Sequence, residues 1–182
     1  MFRKLLNSEL GRPSLEEYKT LDKSPVTVVL DNVRSRHNIG SAFRTCDAFR
    51  AGGIILCGIS STPPAPEIHK SALGAEFSVD WTYRESTVSA VMELKAAGYT
   101  VIGVEQTENS ISTDDFLYGR RALDPGRKYA VIFGNEVHGI SQEAVDLCDI
   151  TLEIPQWGTK HSLNVSVAIG IVLYVLGRGL HG

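Results

Sequence analysis

Short apolar runs alternate with helical patterns along most of this chain, and this alternation restricts the folds that it can adopt. The runs contain few polar side chains, as expected for strands that are buried on both faces of a sheet. Strands that alternate with helices form parallel sheets. We therefore predict an α/β fold, in which helices cover both faces of a parallel sheet. The predicted strands are residues 26–30, 54–57, 99–104, 129–133 and 150–154.

The segments between these runs complete the prediction. The 182 residues suffice for one domain with a buried core, so residues 1–182 are predicted as a single domain with a short helical extension over about residues 1–24. Asn38 is placed at the cap of the helix after the first strand, residues 107–127 read as a polar connection, and a sixth strand is expected near residues 77–83. Helices are predicted over residues 14–21, 39–49, 87–97 and 141–147, in a short piece that ends at Leu73, and at the carboxyl end.

Charge and cysteine content exclude some classes of protein. The net charge of −3 gives no global sign of nucleic-acid binding, so any RNA contact must come from a local patch. Cys46, Cys57 and Cys148 are odd in number and lack C-x-x-C spacing, which favours free buried thiols in a reducing compartment. The longest apolar run, residues 163–176, is shorter than the ~20 residues of a membrane span. We expect a cytoplasmic protein that does not enter a membrane.

Three strands lead into polar loops that contain glycine. The first loop leads into residues 38–44, the second is residues 134–139, and the third, residues 155–164, lies between the last strand and the apolar final helix. In the third loop, Ser162 and Asn164 flank Leu163 where the amides at the start of that helix are free to bind a polar group. Three such loops predict one composite pocket.

These loops also carry a family resemblance. The motifs are Asn38, Gly40 and Arg44; Gly134-Asn135-Glu136 with Gly139; and Ile154-Pro155, Gly158 and Ser162-Leu163-Asn164. In this order they resemble the SpoU (TrmH-like) RNA methyltransferases of the SPOUT superfamily. The resemblance covers most of the chain. It implies a deep trefoil knot in the C-terminal part, a homodimer that allows a catalytic surface built from both subunits, and S-adenosylmethionine as cofactor. Gln156-Trp157 departs from the methionine that often follows Ile-Pro in the family.

The resemblance also implies roles for individual residues. Arg44 would lie at the reaction centre facing a target ribose. A guanidinium stays protonated in essentially all protein settings, so Arg44 is not expected to remove the 2′-hydroxyl proton. We expect it instead to orient the ribose and to stabilise the negative charge that develops on the oxygen. Without the other two motifs, we would interpret Asn38 as a helix cap and Arg44 as a solvent-exposed arginine. The residues implied as catalytic are Arg44, Asn38, Glu136, Ser162 and Asn164, and those implied at the cofactor are Gly134, Ile154, Leu163, Gly158 and Val104.

Substrate and partner expectations follow from the same motifs. Basic side chains near the first and third loops would make a local surface for RNA phosphates. Without the resemblance, the same side chains would be interpreted as solvent-exposed charges at the edges of loops. The predicted RNA-binding residues are Arg34, Arg36, His37 and Lys160. The expected activity is methylation of a ribose 2′-hydroxyl of tRNA or rRNA; the alternatives are a base-directed SPOUT methyltransferase and a non-catalytic RNA-binding scaffold.

Two further patterns are given no function. The histidines lack metal-ligand spacing, so no metal site is expected. Residues 177–182 match G-x-G-x-x-G, but they follow a helix rather than a strand, so no dinucleotide site is predicted.

Overall fold

The computed structural model describes residues 1–178 and 180, and a parallel sheet of seven strands lies at its centre. The strand order is β3-β2-β1-β6-β4-β7-β5, and the described pairs are all parallel. The predicted α/β class with a parallel sheet is therefore confirmed. The strands are β1 (Val26–Asp31), β2 (Gly53–Cys57), β3 (Trp81–Arg84), β4 (Tyr99–Val104), β5 (Ile111–Ser112), β6 (Lys128–Phe133) and β7 (Ile150–Glu153).

Helices cover both faces of the sheet, as predicted. Side chains alternate along β1, so Val28 and Leu30 join one buried cluster and Val29 joins another. The first cluster includes residues of α2, α3 and α8, and the second includes residues of α5 and α7. The helices are α1 (Leu15–Thr20), α2 (Arg36–Ala48), α3 (Pro66–Ala72), α4 (Ala75–Ser78), α5 (Thr87–Ala96), α6 (Thr113–Leu117), α7 (Gln142–Val145) and α8 (Val165–Arg178).

The predicted N-terminal helix is present as α1. Ser14 accepts a hydrogen bond from the Glu17 amide, and the Glu17 carboxylate accepts one from the Ser14 amide, which completes a capping box. Tyr18 is buried and donates to the backbone oxygen of Asp47 at the end of α2. The extension before the sheet is thereby attached to the rest of the chain.

Two sequence predictions about helices near the first motif need correction. The helix of that motif begins at Arg36, and Ser35 is its cap, because the Ser35 hydroxyl accepts from the Asn38 amide. Asn38 therefore lies in the first turn, where its side chain is free for other contacts. Gly40 of the same helix is needed for packing, since a Cβ there would lie 2.4 Å from the Ile68 carbonyl oxygen of α3.

The strand expected near residues 77–83 is also wrong in its first half. Leu73 and Gly74 both have positive φ, and this left-handed turn ends α3 and restarts the chain as α4, which contains Phe77. Only the second half forms a strand, β3. The polar connection 107–127 contains β5 and α6, which were not predicted. A strand of 2 residues and a helix of 5 are too short to leave a periodic signal.

The cysteines are free thiols, with Cys46 and Cys57 buried and Cys148 half-buried. Burial raises the pKa of Cys57 and of Cys148 to about 11, so both thiols are protonated at neutral pH and react slowly. Within residues 1–178 and 180, no helix is both long enough and apolar enough to cross a membrane. The G-x-G-x-x-G match lies partly outside the described residues, since Gly179, His181 and Gly182 are not described.

Candidate functional site

A cavity of about 490 Å³ lies where three neighbouring strands of the sheet end. Strands β6, β4 and β7 are adjacent and parallel, so their carboxyl ends meet at one edge. The residues that follow each strand line the cavity: residues 134–139 after β6, Glu105 and Gln106 after β4, and the third loop after β7. Ligands of open parallel sheets bind at this edge. The composite pocket predicted from three loops is therefore present in part: the second and third loops line it, but residues after β4 take the place of the first loop.

A chain of side-chain hydrogen bonds joins all three motif loops beside this cavity. The side-chain nitrogen Nδ2 of Asn38 donates to Oε1 of Glu136 at 3.0 Å. Asn164 donates to Oδ1 of Asn38 at 3.2 Å, and its own Oδ1 accepts from the amide and the hydroxyl of Ser166 in α8. Asn38 thus connects residues that lie 98 and 126 positions away along the chain. The first helix turn, the second loop and the start of α8 are held in one arrangement.

Glu136 is the acceptor at the centre of this network. Besides Asn38, the backbone amides of Arg34 and Ser35 each donate to its carboxylate at 3.1 Å. Burial opposes ionisation of Glu136, but the hydrogen bonds from Arg34, Asn38 and Ser35 together outweigh burial and lower its pKa. The carboxylate is therefore charged at neutral pH and attaches the second loop to the loop that precedes α2.

Asp31 holds the chain just after the second loop through hydrogen bonds from Ser141, and it was not among the predicted site residues. It is 1% exposed, and its carboxylate accepts from the hydroxyl of Thr87 and from both the amide and the hydroxyl of Ser141. Ser141 is the cap residue of α7, where the second loop ends. The sequence did contain a signal for this residue, since Asp31 ends an apolar strand that is expected to be buried. A buried carboxylate is retained only where several hydrogen-bond donors surround it.

Two further lining residues were missed after β4. The carboxylate of Glu105 accepts from the amides of Ile140 and Gln106, each at 3.0 Å. The side chain of Gln106 donates to the carbonyl oxygen of His161 at 2.7 Å, which ties the third loop to the end of β4. The sequence offered one signal for both residues, their position directly after an apolar strand.

The structure brings most of the predicted site residues together. Those that line the cavity are Val104, Gly134, Glu136, Ile154, Ser162, Leu163 and Asn164, and Asn38 reaches it through Asn164. Ser162 is exposed, and among the described residues nothing hydrogen-bonds to its hydroxyl. Gly158 lies outside the lining, in the exposed part of the third loop. The catalytic and cofactor roles of these residues stay predictions.

The basic residues stand apart from the cavity lining. Arg44 is exposed on α2, and among the described residues no side chain pairs with its guanidinium. The guanidinium of Arg36 donates to Oε1 of Glu67 at 3.1 Å and to the hydroxyl of Ser61, so it is already engaged. Arg34, His37 and Lys160 are exposed as well, and their predicted contact with RNA stays a prediction. Within the part of the chain that is described, no group of three or more potential metal ligands is found.

This chain is similar to known proteins both in sequence and in structure. The model of the SpoU rRNA Methylase family matches residues 25–174. A tRNA (guanosine(18)-2′-O)-methyltransferase of Thermus thermophilus is 32% identical over 171 residues, covering 94% of this chain and 84% of the relative. A TrmH family tRNA/rRNA methyltransferase of Staphylococcus saprophyticus is 31% identical over 162 residues, covering 89% of this chain and 62% of the relative.

Among solved structures, the AdoMet-bound rRNA methyltransferase of Sinorhizobium meliloti superposes with a TM-score of 0.76 at 28% identity. That match covers 90% of this chain and 60% of the other, so this chain spans less than two thirds of two of these three proteins. The resemblance drawn from the three motifs and the prediction of S-adenosylmethionine as cofactor are confirmed. The chain belongs to the SpoU rRNA methylase family, a family of TrmH-like RNA methyltransferases of the SPOUT superfamily.

Proposed function

We propose that this protein transfers a methyl group from S-adenosylmethionine to a ribose 2′-hydroxyl of tRNA or rRNA. One observation carries the proposal: the hydrogen bonds from Glu136 through Asn38 to Asn164 join the three family motifs beside a single cavity. The name of the Thermus thermophilus relative, a tRNA 2′-O-methyltransferase, supports the ribose as the target. We propose that one domain carries the activity and that the enzyme works in the cytoplasm.

The cavity suits the cofactor in size and lining. Its volume of about 490 Å³ is within the range of small-molecule pockets. The accessible apolar side chains in its lining, Ile154 and Leu163, offer a surface for a purine. Among the described residues, none accepts from the amides of Leu163 and Asn164 at the mouth. We assign Gly134, Ile154, Leu163 and Val104, which all line the cavity, to the cofactor. When bound, S-adenosylmethionine supplies an electrophilic methyl group on a positively charged sulfur.

The chain supplies alignment and charge stabilisation rather than a covalent intermediate. The bound cofactor would supply the methyl group to the 2′-oxygen and leave as a neutral thioether, and the hydroxyl proton would leave to an RNA phosphate or to water. Arg44 is not the base, because a guanidinium keeps its proton in essentially all protein settings. Its planar fork binds the ribose and its phosphate and stabilises the negative charge that develops on the oxygen. Asn38 and Asn164 fix the loops that face the ribose, and Ser162 offers a hydroxyl to the RNA.

The assay of this proposal uses bulk tRNA and bulk rRNA from cells that lack the protein. Incubation with S-adenosylmethionine labelled in the methyl group should label one pool, and nucleoside analysis should find the label on ribose. Label on a base would support the base-directed alternative instead. Binding of the cofactor without label in either pool would favour the non-catalytic scaffold, and absence of cofactor binding would contradict the proposal altogether.

A homodimer that completes the catalytic surface is part of the proposal. Val167 and Tyr174 are 49% and 50% exposed, and their spacing of seven residues puts them on one face of α8. A Cβ on Gly170 of the same helix would meet nothing within 4 Å, so this face is also open. The opposite face of α8 packs on the core. Arg44 does not line the cavity of its own subunit, so we propose that it serves the cavity of the partner subunit.

The dimer should depend on this face. Tyr174→Glu places a charge in the proposed interface and is expected to convert the dimer to a monomer, because an unpaired charge resists burial. Sedimentation velocity at micromolar concentration measures the change. Tyr118→Glu is the matched control, since Tyr118 is 68% exposed elsewhere on the surface and should leave the dimer intact. A monomeric wild-type protein would contradict the dimer.

We also infer that the C-terminal part is threaded as a trefoil knot. The inference is supported by the family and by the strand order. In that order β6 lies between β1 and β4, and β7 lies between β4 and β5, so neither strand is at an edge of the sheet. After β7 the chain returns through the third loop, and α8 packs in the same cluster as α2. An experimental structure in which this segment passes through the loop made by the preceding residues would establish the knot.

A further inference from the structure

The lining of the cavity is acidic, although the cavity lies beside the proposed RNA-binding loops. Glu105, Glu136 and Glu153 line it, and among the described lining residues there is no lysine or arginine. Two histidines, His138 and His161, also line the cavity. Within the described part of the chain, none of the salt bridges involves these three glutamates. Their negative charge is therefore not neutralised by an ion pair.

Two of these carboxylates keep hydrogen-bonding capacity for a ligand. Glu136 accepts from three donors of the first loop, so it is largely used in holding that loop. Glu105 accepts from two backbone amides, and a carboxylate offers about four acceptor sites. Among the described residues, nothing donates to the side chain of Glu153. Glu105 and Glu153 are thus the carboxylates left for whatever occupies the cavity.

The amide of Ile140 holds the carboxylate of Glu105 close to Gly139 of the second loop. A Cβ on Gly139 would lie 2.2 Å from Oε2 of Glu105, so a larger residue there would push this carboxylate away from the second loop. Gly139 has a φ of +68°, which independently favours glycine. The second loop therefore leaves room at the cavity wall for the carboxylate of Glu105, which follows β4.

A fixed negative charge distinguishes ligands by charge rather than by shape. The methyl donor carries a positive sulfur, and the product that remains after transfer has the same skeleton with a neutral thioether. We propose that Glu105 and Glu153 make this cavity bind the cationic methyl donor in preference to its neutral demethylated product. This inference rests on the proposed function. It gives the residues a role in specificity and in product release, because the loss of positive charge on transfer weakens binding.

Calorimetric titration with three ligands tests the inference. S-adenosylmethionine, S-adenosylhomocysteine and adenosine are titrated into the wild type, Glu105→Gln and Glu153→Gln. Each substitution should lower the ratio of donor affinity to product affinity by about fivefold, the order expected for one charge acting through a partly hydrated site. Adenosine is neutral, so its affinity should change less than about twofold. Glu108→Gln is the matched control, because Glu108 is exposed and does not line the cavity.

The outcomes separate this inference from the proposed function. A general disturbance of the cavity would weaken all three ligands alike and leave the ratio unchanged, and that result would overturn the role of charge while leaving cofactor binding intact. A wild type that binds neither donor nor product would overturn both. If a variant fails to fold, the wild type alone decides: the donor-to-product ratio must fall when sodium chloride rises from about 0.05 to 0.5 M, since salt screens the charge.

Discussion

Replacement of Arg44 by alanine is expected to lower the single-turnover rate of methyl transfer by about 100- to 1,000-fold, the usual cost of removing a charge-stabilising donor. The affinity for S-adenosylmethionine should stay within about twofold, because Arg44 is exposed and does not line the cavity. Single-turnover assays with excess enzyme measure the chemical step, and calorimetry measures the affinity. A loss of both together would place Arg44 in the cofactor site and contradict its assignment to the ribose.

Arg44→Lys tests why arginine is needed. Lysine keeps the positive charge but lacks the planar fork, so a rate close to that of Arg44→Ala would show that bidentate geometry matters. A rate equal to the wild type would show that charge alone suffices. Arg121→Ala is the matched control, since Arg121 is an exposed arginine outside the site and its loss should leave the rate unchanged. An Arg44→Ala variant as fast as this control would remove Arg44 from the mechanism.

The sequence was sufficient to predict five of the seven strands and the place of the cavity. Apolar runs such as residues 129–133 correspond to strands with errors of one residue, because strands buried on both faces leave an uninterrupted signal. Once the strands are parallel, their carboxyl ends share an edge, so loops after β6 and β7 had to meet. The convergence of the motif loops was thus predictable from topology and local pattern.

The partners of individual side chains were not predictable. Asn38 was expected at a helix cap, but it bonds to Glu136 and Asn164, far away along the chain. No local pattern encodes which distant groups face one another, and the same holds for Asp31 and its contact with Ser141. The positive φ of Leu73, which restarts the chain as a helix, is similarly invisible, because that conformation is uncommon outside glycine.

Gly134 and Gly158 were predicted together as cofactor residues, and the structure predicts opposite results for their replacement. A Cβ on Gly134 would lie 2.0 Å from the carbonyl carbon of Gly139 and 2.1 Å from the amide nitrogen of Ile140. These are backbone atoms that cannot rotate away, and Asn135 and Gly139 exchange two hydrogen bonds of 2.9 Å at this point. Gly134→Ala must therefore displace the second loop. We expect a loss of about 1–3 kcal/mol in the free energy of unfolding and at least tenfold weaker binding of S-adenosylmethionine.

Gly158→Ala is the control that the chain itself offers. A Cβ at Gly158 would meet nothing within 4 Å, so the free energy of unfolding should change by no more than about 0.5 kcal/mol. Chemical denaturation and calorimetry on both variants measure the two quantities. Wild-type affinity in Gly134→Ala would mean that the second loop does not shape the cofactor site. Weak binding in Gly158→Ala alone would mean that the exposed part of the third loop closes over the cofactor, since only a bound ligand could then meet the added methyl group.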